Sequence, residues 1–330
     1  MFINIEILHR GARNRVIFLF ERSFSVTTAV RGEVAVFDIG GTNTKFAVFN
    51  SKREILSKEV VKTPSSYDEL LSLIREKKIN RVDVVVLGLP AVIDYSNYKV
   101  IYAPNIDYLT NKDLVRDLNL ENVLIENDAN LAALGEYHTF WKDSSSMLMV
   151  TIGTGVGGGL ILDGKLLKSK FSVAEIGHIN VENDGRVCGC GNRGCLEAYC
   201  GKKGILTTYE ILGGAKYNSI NKIYAEAKQG KLIASLTFRQ FAHYLSIGLV
   251  SALNVVYVEN IVIGGGISHF GDIFFKDLIK FFNSKIYPPY KKSVIISIAN
   301  LKNDAALFGG FYYAKESNFL LDNNSTNHSK

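Results

Sequence analysis

Cysteine is scarce in this sequence, and it is not scattered. All four thiols of the 330-residue chain fall between positions 188 and 200. Disulfides inside so short a stretch would cross-link almost nothing, and the spacing is not the Cys-x-x-Cys of a thioredoxin-type redox pair. Long apolar runs are missing too. No stretch reaches the roughly 18 residues a membrane-spanning helix needs, so no membrane partner is expected. Excess charge of one sign is small: Lys plus Arg is 38 against Asp plus Glu 32, a formal +6. With no Lys/Arg run interleaved with aromatics, a nucleic-acid partner is not expected either. The Walker lysine motif of P-loop proteins is absent. What is present is an ordinary globular composition, 47% apolar and 21% charged, enough for a large core and two domains.

Two stretches differ from the rest. Residues 1–32 hold Arg10, Arg13, Arg15, Arg22 and Arg31 and one short apolar run at 16–20. That run is too short for a secretory signal and is followed by Glu21 and Arg22. The segment reads as an N-terminal extension, compatible with an organelle transit peptide or a mis-assigned translation start. Residues 317–330 are rich in Asn and Ser and read as a disordered tail.

From Glu33 onward the pattern is βαβ-like. Apolar residues at 34–39 predict a strand, 40–43 a glycine turn, and 45–49 and 54–63 two further strands. Residues 67–78 have helical spacing. A buried strand is expected at 82–87, closed by Gly88 and Pro90, and a short one at 123–125 running into a helix at 128–140. The opening pattern then returns: strand 147–152, glycine turn 153–158, strand 159–162. A long apolar helix near 238–258, a strand at 261–263, the triplet Gly264-Gly265-Gly266, a helix from Asp272, a strand at 294–298 and a helix at 305–314 complete the chain. Two similar α/β halves with facing glycine hairpins make a cleft able to hold a nucleotide.

Chemistry concentrates in a few places. The stretch from Glu175 to Glu197 places His178, Cys188, Cys190 and Cys195 in one loop-rich segment. Thiolates with an imidazole at such spacing suit a tetrahedral zinc ion. The glycines at 189, 191 and 194 permit the tight turns this needs. Cys188, Cys190, Cys195 and Cys200, without histidine, form a rival ligand set. In the first hairpin, Gly40, Gly41 and Thr42 offer backbone N–H groups and a hydroxyl to phosphate, and Asp38 is placed to hold magnesium through water. In the second, Gly153, Thr154 and Gly155 repeat this. The second turn also fits G-x-G-x-x-G, but residues 159–164 read as a strand and turn, whereas a dinucleotide fingerprint must open a helix. The Gly264, Gly265, Gly266 triplet is a candidate floor for adenine or ribose. Asp128, between strand and helix, is either a helix N-cap or a general base near a γ-phosphate.

Taken together these residues resemble the ROK family of sugar kinases and repressors. Residues 36–50, Asn127-Asp128, the hairpin from 153 and the segment 175–197 match in order, across about 33–315. The resemblance implies an α/β, two-domain actin-like ATPase (ribonuclease H-like) fold with a structural zinc loop. It places a small domain at 33–126 plus about 300–316 and a large one at 127–299. It implies ATP-dependent phosphorylation of a hexose at the 6-hydroxyl, most simply glucose. An N-acetylhexosamine kinase, for N-acetylglucosamine or N-acetylmannosamine, is the alternative, and a non-catalytic sugar-sensing regulator is the rival class. Zinc would take His178, Cys188, Cys190 and Cys195. Sugar would take Asn105, Asn127, Asp128, Glu175, His178 and Glu197, with Asp128 matching the catalytic base. ATP and magnesium would take Asp38, Gly40, Gly41, Thr42, Asn43 and Lys45, with Gly153, Thr154, Gly155 and the 264–266 triplet. A homodimer is implied, and reduced, metal-bound cysteines fit a cytoplasmic protein. Two positions depart from the family pattern: Ala174, before Glu175, and Ala91, after Pro90, stand where glycine is usual. Only about 32 residues precede the first hairpin, too few for the helix-turn-helix domain of the ROK repressors.

Overall fold

The computed structural model describes residues 32–77 and 82–317. The expectations for 1–31 and for the tail from 318 lie outside the described residues. Strand β1 (Val34–Ile39) is buried along its whole length. That is what an unbroken apolar run predicts for a strand covered on both faces. It pairs antiparallel with β2 (Asn43–Phe49), which places Lys45 directly across from Asp38. The antiparallel strand β3 (Ile55–Lys62) extends this edge, and β4 (Val84–Leu89) and β7 (Val123–Asn127) add in parallel on the other side, in the order β3-β2-β1-β4-β7.

The second sheet repeats the plan. β8 (Ser146–Ile152) and β9 (Val156–Leu162) form the hairpin, β10 (Lys165–Leu166) extends it, and β11 (Asn260–Gly264) and β12 (Ile295–Ile298) add in parallel, in the order β10-β9-β8-β11-β12. The repeat read from the sequence is thus a duplicated sheet. A small hairpin, β5 (Val92–Asp94) with β6 (Lys99–Tyr102), comes after the first sheet's β4.

Alternation along the strands assigns each face to its own core. Val34 and Val36 of β1, with Met147 and Met149 of β8, point into one cluster. Helices α3 (Asp128–Glu136) and α9 (Ala305–Glu316) supply its Leu131, Leu134 and Phe311. Ala35, Phe37 and Ile39 face a second cluster, with α1 (Tyr67–Glu76) and α2 (Leu114–Leu118). Leu148, Val150 and Ile152 face the third. The short α4 (Glu197–Cys200) adds Tyr199 and Cys200 to it, and α5 (Lys202–Ile211), α6 (Ile220–Lys228), α7 (Leu232–Val255) and α8 (Gly271–Lys285) cover it. In α1 the N-cap Ser66 and the buried Leu70, Leu71 and Ile74 realise the expected amphipathic helix. Each such burial contributes about 1.5–3 kcal/mol.

The helices α3 and α9 cross between the two sheets at glycine. A Cβ on Gly309 would stand 1.7 Å from the Leu131 carbonyl oxygen, and one on Gly135 would stand 2.1 Å from that of Ala305. Two expectations need correction. The turn expected at 153–158 ends at Gly155, and Gly157, Gly158 and Gly159 belong to β9. Those glycines serve close packing on both faces: a Cβ at Gly159 would meet the Ala129 carbonyl of α3 at 2.7 Å, and one at Gly158 would meet the Ala174 carbonyl at 2.3 Å. The helix expected at 128–140 stops at Glu136 and continues as a π-helical turn, Tyr137–Trp141. Among the described residues, no helix is long and apolar enough to cross a membrane.

Candidate active site and metal loop

A cleft of about 600 Å³ opens along the ends of both hairpins. Of the first hairpin's residues, Asp38, Gly40, Gly41, Asn43 and Lys45 line it. Thr42 does not. It is exposed in the turn, and its carbonyl accepts from the Thr63 N–H at 3.0 Å. Gly153, Thr154 and Gly155 line it from the second hairpin, and Gly265 and Gly266 from the triplet. Gly264 is the end of buried β11. Its absent side chain makes room for Met149, so it is a packing residue rather than part of the floor.

Asn105, Asn127, Asp128, Glu175, His178 and Glu197 all reach the same cleft. Sequence left Asp128 as either cap or base. The structure gives the cap to Asn127, whose Oδ1 accepts from the N–H groups of Ala129 at 2.9 Å and Asn130 at 3.2 Å. The Nδ2 of Asn127 donates to the Ala91 carbonyl at 3.2 Å, so most of its polar capacity serves the fold. Asp128, the first residue of α3, accepts the Ala129 N–H at 2.8 Å and keeps a face on the cleft.

Acid groups crowd this space. Burial, and next the negative charge of Asp38, push the Asp128 carboxyl up to about 7, with the Ala129 N–H and Lys45 partly offsetting them. Loss of solvent also raises Glu175, with His178 opposing and Glu197 reinforcing. Asp38 is paired with the Lys45 ammonium at 2.6 Å, and Lys45 also donates to the Asn303 carbonyl at 2.7 Å. The Oε2 of Glu197 accepts the Val156 N–H at 2.9 Å, tying the end of the metal loop to the second hairpin. Gly155 must be glycine for this, because a Cβ there would lie 2.3 Å from that oxygen.

The structure brings the donors of one of the two rival ligand sets together. The donor atoms of His178, Cys188, Cys190 and Cys195 all lie within 4.8 Å of one another. The Sγ atoms of Cys190 and Cys195 are 3.7 Å apart, and His178 Nδ1 lies 3.9 Å from Cys188 Sγ. A tetrahedral ion bound at about 2.0–2.3 Å separates its donors by about 3.5–3.8 Å, so the residues fit zinc. Gly191 and Gly194 take positive φ, 91° and 76°, which bends the chain around the cluster. Cys200 is outside it, fully buried in the core with its Sγ toward the Phe241 carbonyl.

Several lining residues were not anticipated. Tyr102 and Pro104 come from the β5–β6 hairpin region, and Lys302 and Asn303 from the turn before α9. No sequence signal marks them. Asn192 also lines the cleft, and its place inside the cysteine segment would have flagged it. Of the two departures from the family pattern, Ala91 lines the cleft and Ala174 does not. Ala174 instead sits at φ 60°, a left-handed conformation that favours glycine.

Two hairpin-led sheets of matching topology, with the cleft along their glycine turns, define an actin-like ATPase-type α/β protein with the sugar-kinase fold. The chain belongs to the ROK family, whose model matches residues 34–317. It is 30% identical over 313 residues to the glucokinase of Halalkalibacterium halodurans, covering 84% of this chain and 94% of that one. It is 33% identical over 256 residues to the N-acetyl-D-glucosamine kinase of Vibrio parahaemolyticus, covering 71% and 84%. Among solved structures, a ROK family glucokinase from Streptomyces griseus in complex with glucose and AMPPNP superposes with a TM-score of 0.76 at 29% identity, covering 86% of this chain and all of that one.

Proposed function

We propose that the protein transfers the γ-phosphoryl group of ATP to the 6-hydroxyl of a hexose, glucose first. Asp128 carries this reading. Its carboxyl titrates near neutral pH in a cleft shared by both glycine hairpins and by Glu175 and His178. A base poised near the working pH is the efficient one. Asp128 takes the hydroxyl proton as the sugar oxygen attacks phosphorus in line, and ADP leaves. Backbone N–H groups of the two hairpins and the Lys45 ammonium meet the phosphoryl charge. Asp38 would hold magnesium, which when bound would supply further neutralisation of the phosphates, and the mutual repulsion of Asp38 and Asp128 fits a cation there. Glu175, His178, Glu197 and Asn105 offer hydrogen-bond partners to the remaining sugar hydroxyls. His178 and the three cysteines would hold a structural zinc ion, which would fix that wall.

The likeness to the Vibrio N-acetyl-D-glucosamine kinase supports a second reading, an N-acetylhexosamine acceptor. The deciding experiment is kcat/KM with ATP for glucose, mannose, fructose, N-acetylglucosamine and N-acetylmannosamine, read by coupled ADP release. Either N-acetyl sugar beating glucose by tenfold replaces glucose and leaves the kinase. Sugar binding without ADP release on any of the five removes the kinase reading and leaves a sugar-sensing protein.

A further inference from the structure

Behind the cleft lies a charged cluster that the reaction above does not use. Glu126, the residue before Asn127 on β7, is completely buried. A buried carboxylate is costly unless every oxygen is matched. Its Oε1 accepts from the Asn127 N–H and from Asn130 Nδ2, both at 2.9 Å, and from the Tyr95 hydroxyl. Its Oε2 has one partner, the Lys168 ammonium at 2.6 Å, in an ion pair outside hydrogen-bond alignment. Lys168 also donates to the Tyr313 hydroxyl at 2.9 Å, and it lies over the rings of Tyr95 and Tyr313 at 5.0 and 4.1 Å. Burial and the Glu126 charge raise the Tyr95 phenol, so it stays a donor.

The partners come from separate parts of the chain. Asn127 and Asn130 belong to the start of α3, beside Asp128. Tyr95 begins the turn of the β5–β6 hairpin, and Tyr313 is on α9. Lys168 and Ser172, whose Oγ is 3.5 Å from the Tyr95 hydroxyl, lie on the segment that leads into Glu175 and His178. The Tyr95 N–H donates to the Lys170 carbonyl at 3.0 Å, a second tie to that segment. One buried anion therefore connects the two pieces of backbone that bring Asp128 and Glu175 to the cleft.

We infer that Glu126, Lys168 and Tyr95 form a positioning cluster that sets the spacing between Asp128 and the Glu175–His178 wall, and so controls sugar binding and the chemical step. The inference rests on the hexose-kinase reading. None of the three touches the reacting atoms. Misplacing a reacting group by about 1 Å costs on the order of 10²-fold in rate.

The test is steady-state kinetics of the full-length, zinc-loaded protein. Lys168→Met should raise the sugar KM and lower kcat, together reducing kcat/KM for the sugar by roughly 10–10²-fold, with the KM for ATP within twofold of the parent. Lys168→Arg, which keeps the charge, should restore most of the loss. Tyr95→Phe, which removes only a hydroxyl, should move the same constants less, and it serves if Lys168→Met folds poorly. Kinetics are normalised to the folded fraction. A parent inactive on every sugar overturns the kinase reading and this inference with it. An active parent overturns the inference alone if its variants lose thermal stability but keep the parent's sugar KM and kcat, or if ATP and sugar constants shift equally.

Discussion

At the scale of single residues, Asp128 makes the sharpest claims. Asp128→Asn keeps the shape and the Ala129 hydrogen bond but cannot take a proton. Turnover should fall by about 10²–10⁴-fold while calorimetric sugar binding survives. Unchanged turnover would reduce Asp128 to a residue of the helix start. Since the ionised form is the base, kcat/KM for the sugar should rise with pH and level off above about 7. The same shift has the opposite consequence for stability. The carboxyl stands at about 7 in the folded protein against an ordinary 3.8, so between these values the folded state holds the extra proton. Stability contributed by Asp128 is complete below about 4 and is lost as pH rises through 7. Asp128→Asn should accordingly be more stable than the parent by about 1–3 kcal/mol at pH 8 and by little at pH 4, by denaturant titration. Ala174 stores a smaller strain in its left-handed φ of 60°. Ala174→Gly should stabilise by about 0.5–1 kcal/mol, the relieved strain exceeding the entropy that glycine adds to the unfolded chain. A fall in melting temperature would contradict it.

At the scale of elements, the metal loop and the α3–α9 crossing can be tested separately. Cys190→Ser should lose zinc and loosen the loop, because metal binding is coupled to folding. Cys200→Ser should keep zinc. It also places a hydroxyl in a fully buried site of the core, at a cost of about 1–3 kcal/mol. Metal analysis of the two purified variants decides this, and zinc lost from Cys200→Ser but retained in His178→Ala would reverse the ligand assignment. Gly309→Ala asks the crossing to admit a methyl group 1.7 Å from a backbone oxygen. The helices have to move apart, so a loss of about 1–3 kcal/mol or more is expected in the denaturation midpoint. The crossing lies beneath Asp128, so activity should fall with it.

At the scale of the whole molecule, the cleft collects residues from both sheets and from the metal loop, so its two ligands should be coupled. The dissociation constant for glucose, measured by calorimetry, should tighten by roughly fivefold or more in the presence of a non-hydrolysable ATP analogue with magnesium. An unchanged constant would mean that sugar and nucleotide do not share this cleft. Such coupling needs the two hairpins on one wall, and their repetition about 110 residues apart was already visible in the sequence. Local pattern carried that much because a glycine turn after an apolar strand is read within a dozen residues. The cysteine spacing likewise pointed to a candidate metal cluster, and the family resemblance pointed to the histidine that the structure brings beside the three thiols.

Other features depended on residues far apart in the chain. No period in the sequence marks Lys302 and Asn303 as cleft residues, since they arrive there because α9 returns to cross α3. Gly157 and Gly158 read as a turn, yet they are strand, because the reasons for them are α3 lying over one face and the backbone of Ala174 over the other. Thr42 stood in the right motif but is exposed in the turn between β1 and β2 and is not among the residues that line the cleft. Glu126 shows the division most clearly. Sequence offers only an acid beside Asn127-Asp128. Its meaning comes from Tyr95, Lys168 and Tyr313, which meet it only when the chain closes around a carboxylate that water cannot reach. Composition, strand and turn chemistry and metal-ligand spacing are local and were determined by the sequence itself. Which face a residue presents, what desolvates it and which charge answers it are long-range, and only the tertiary structure decided them.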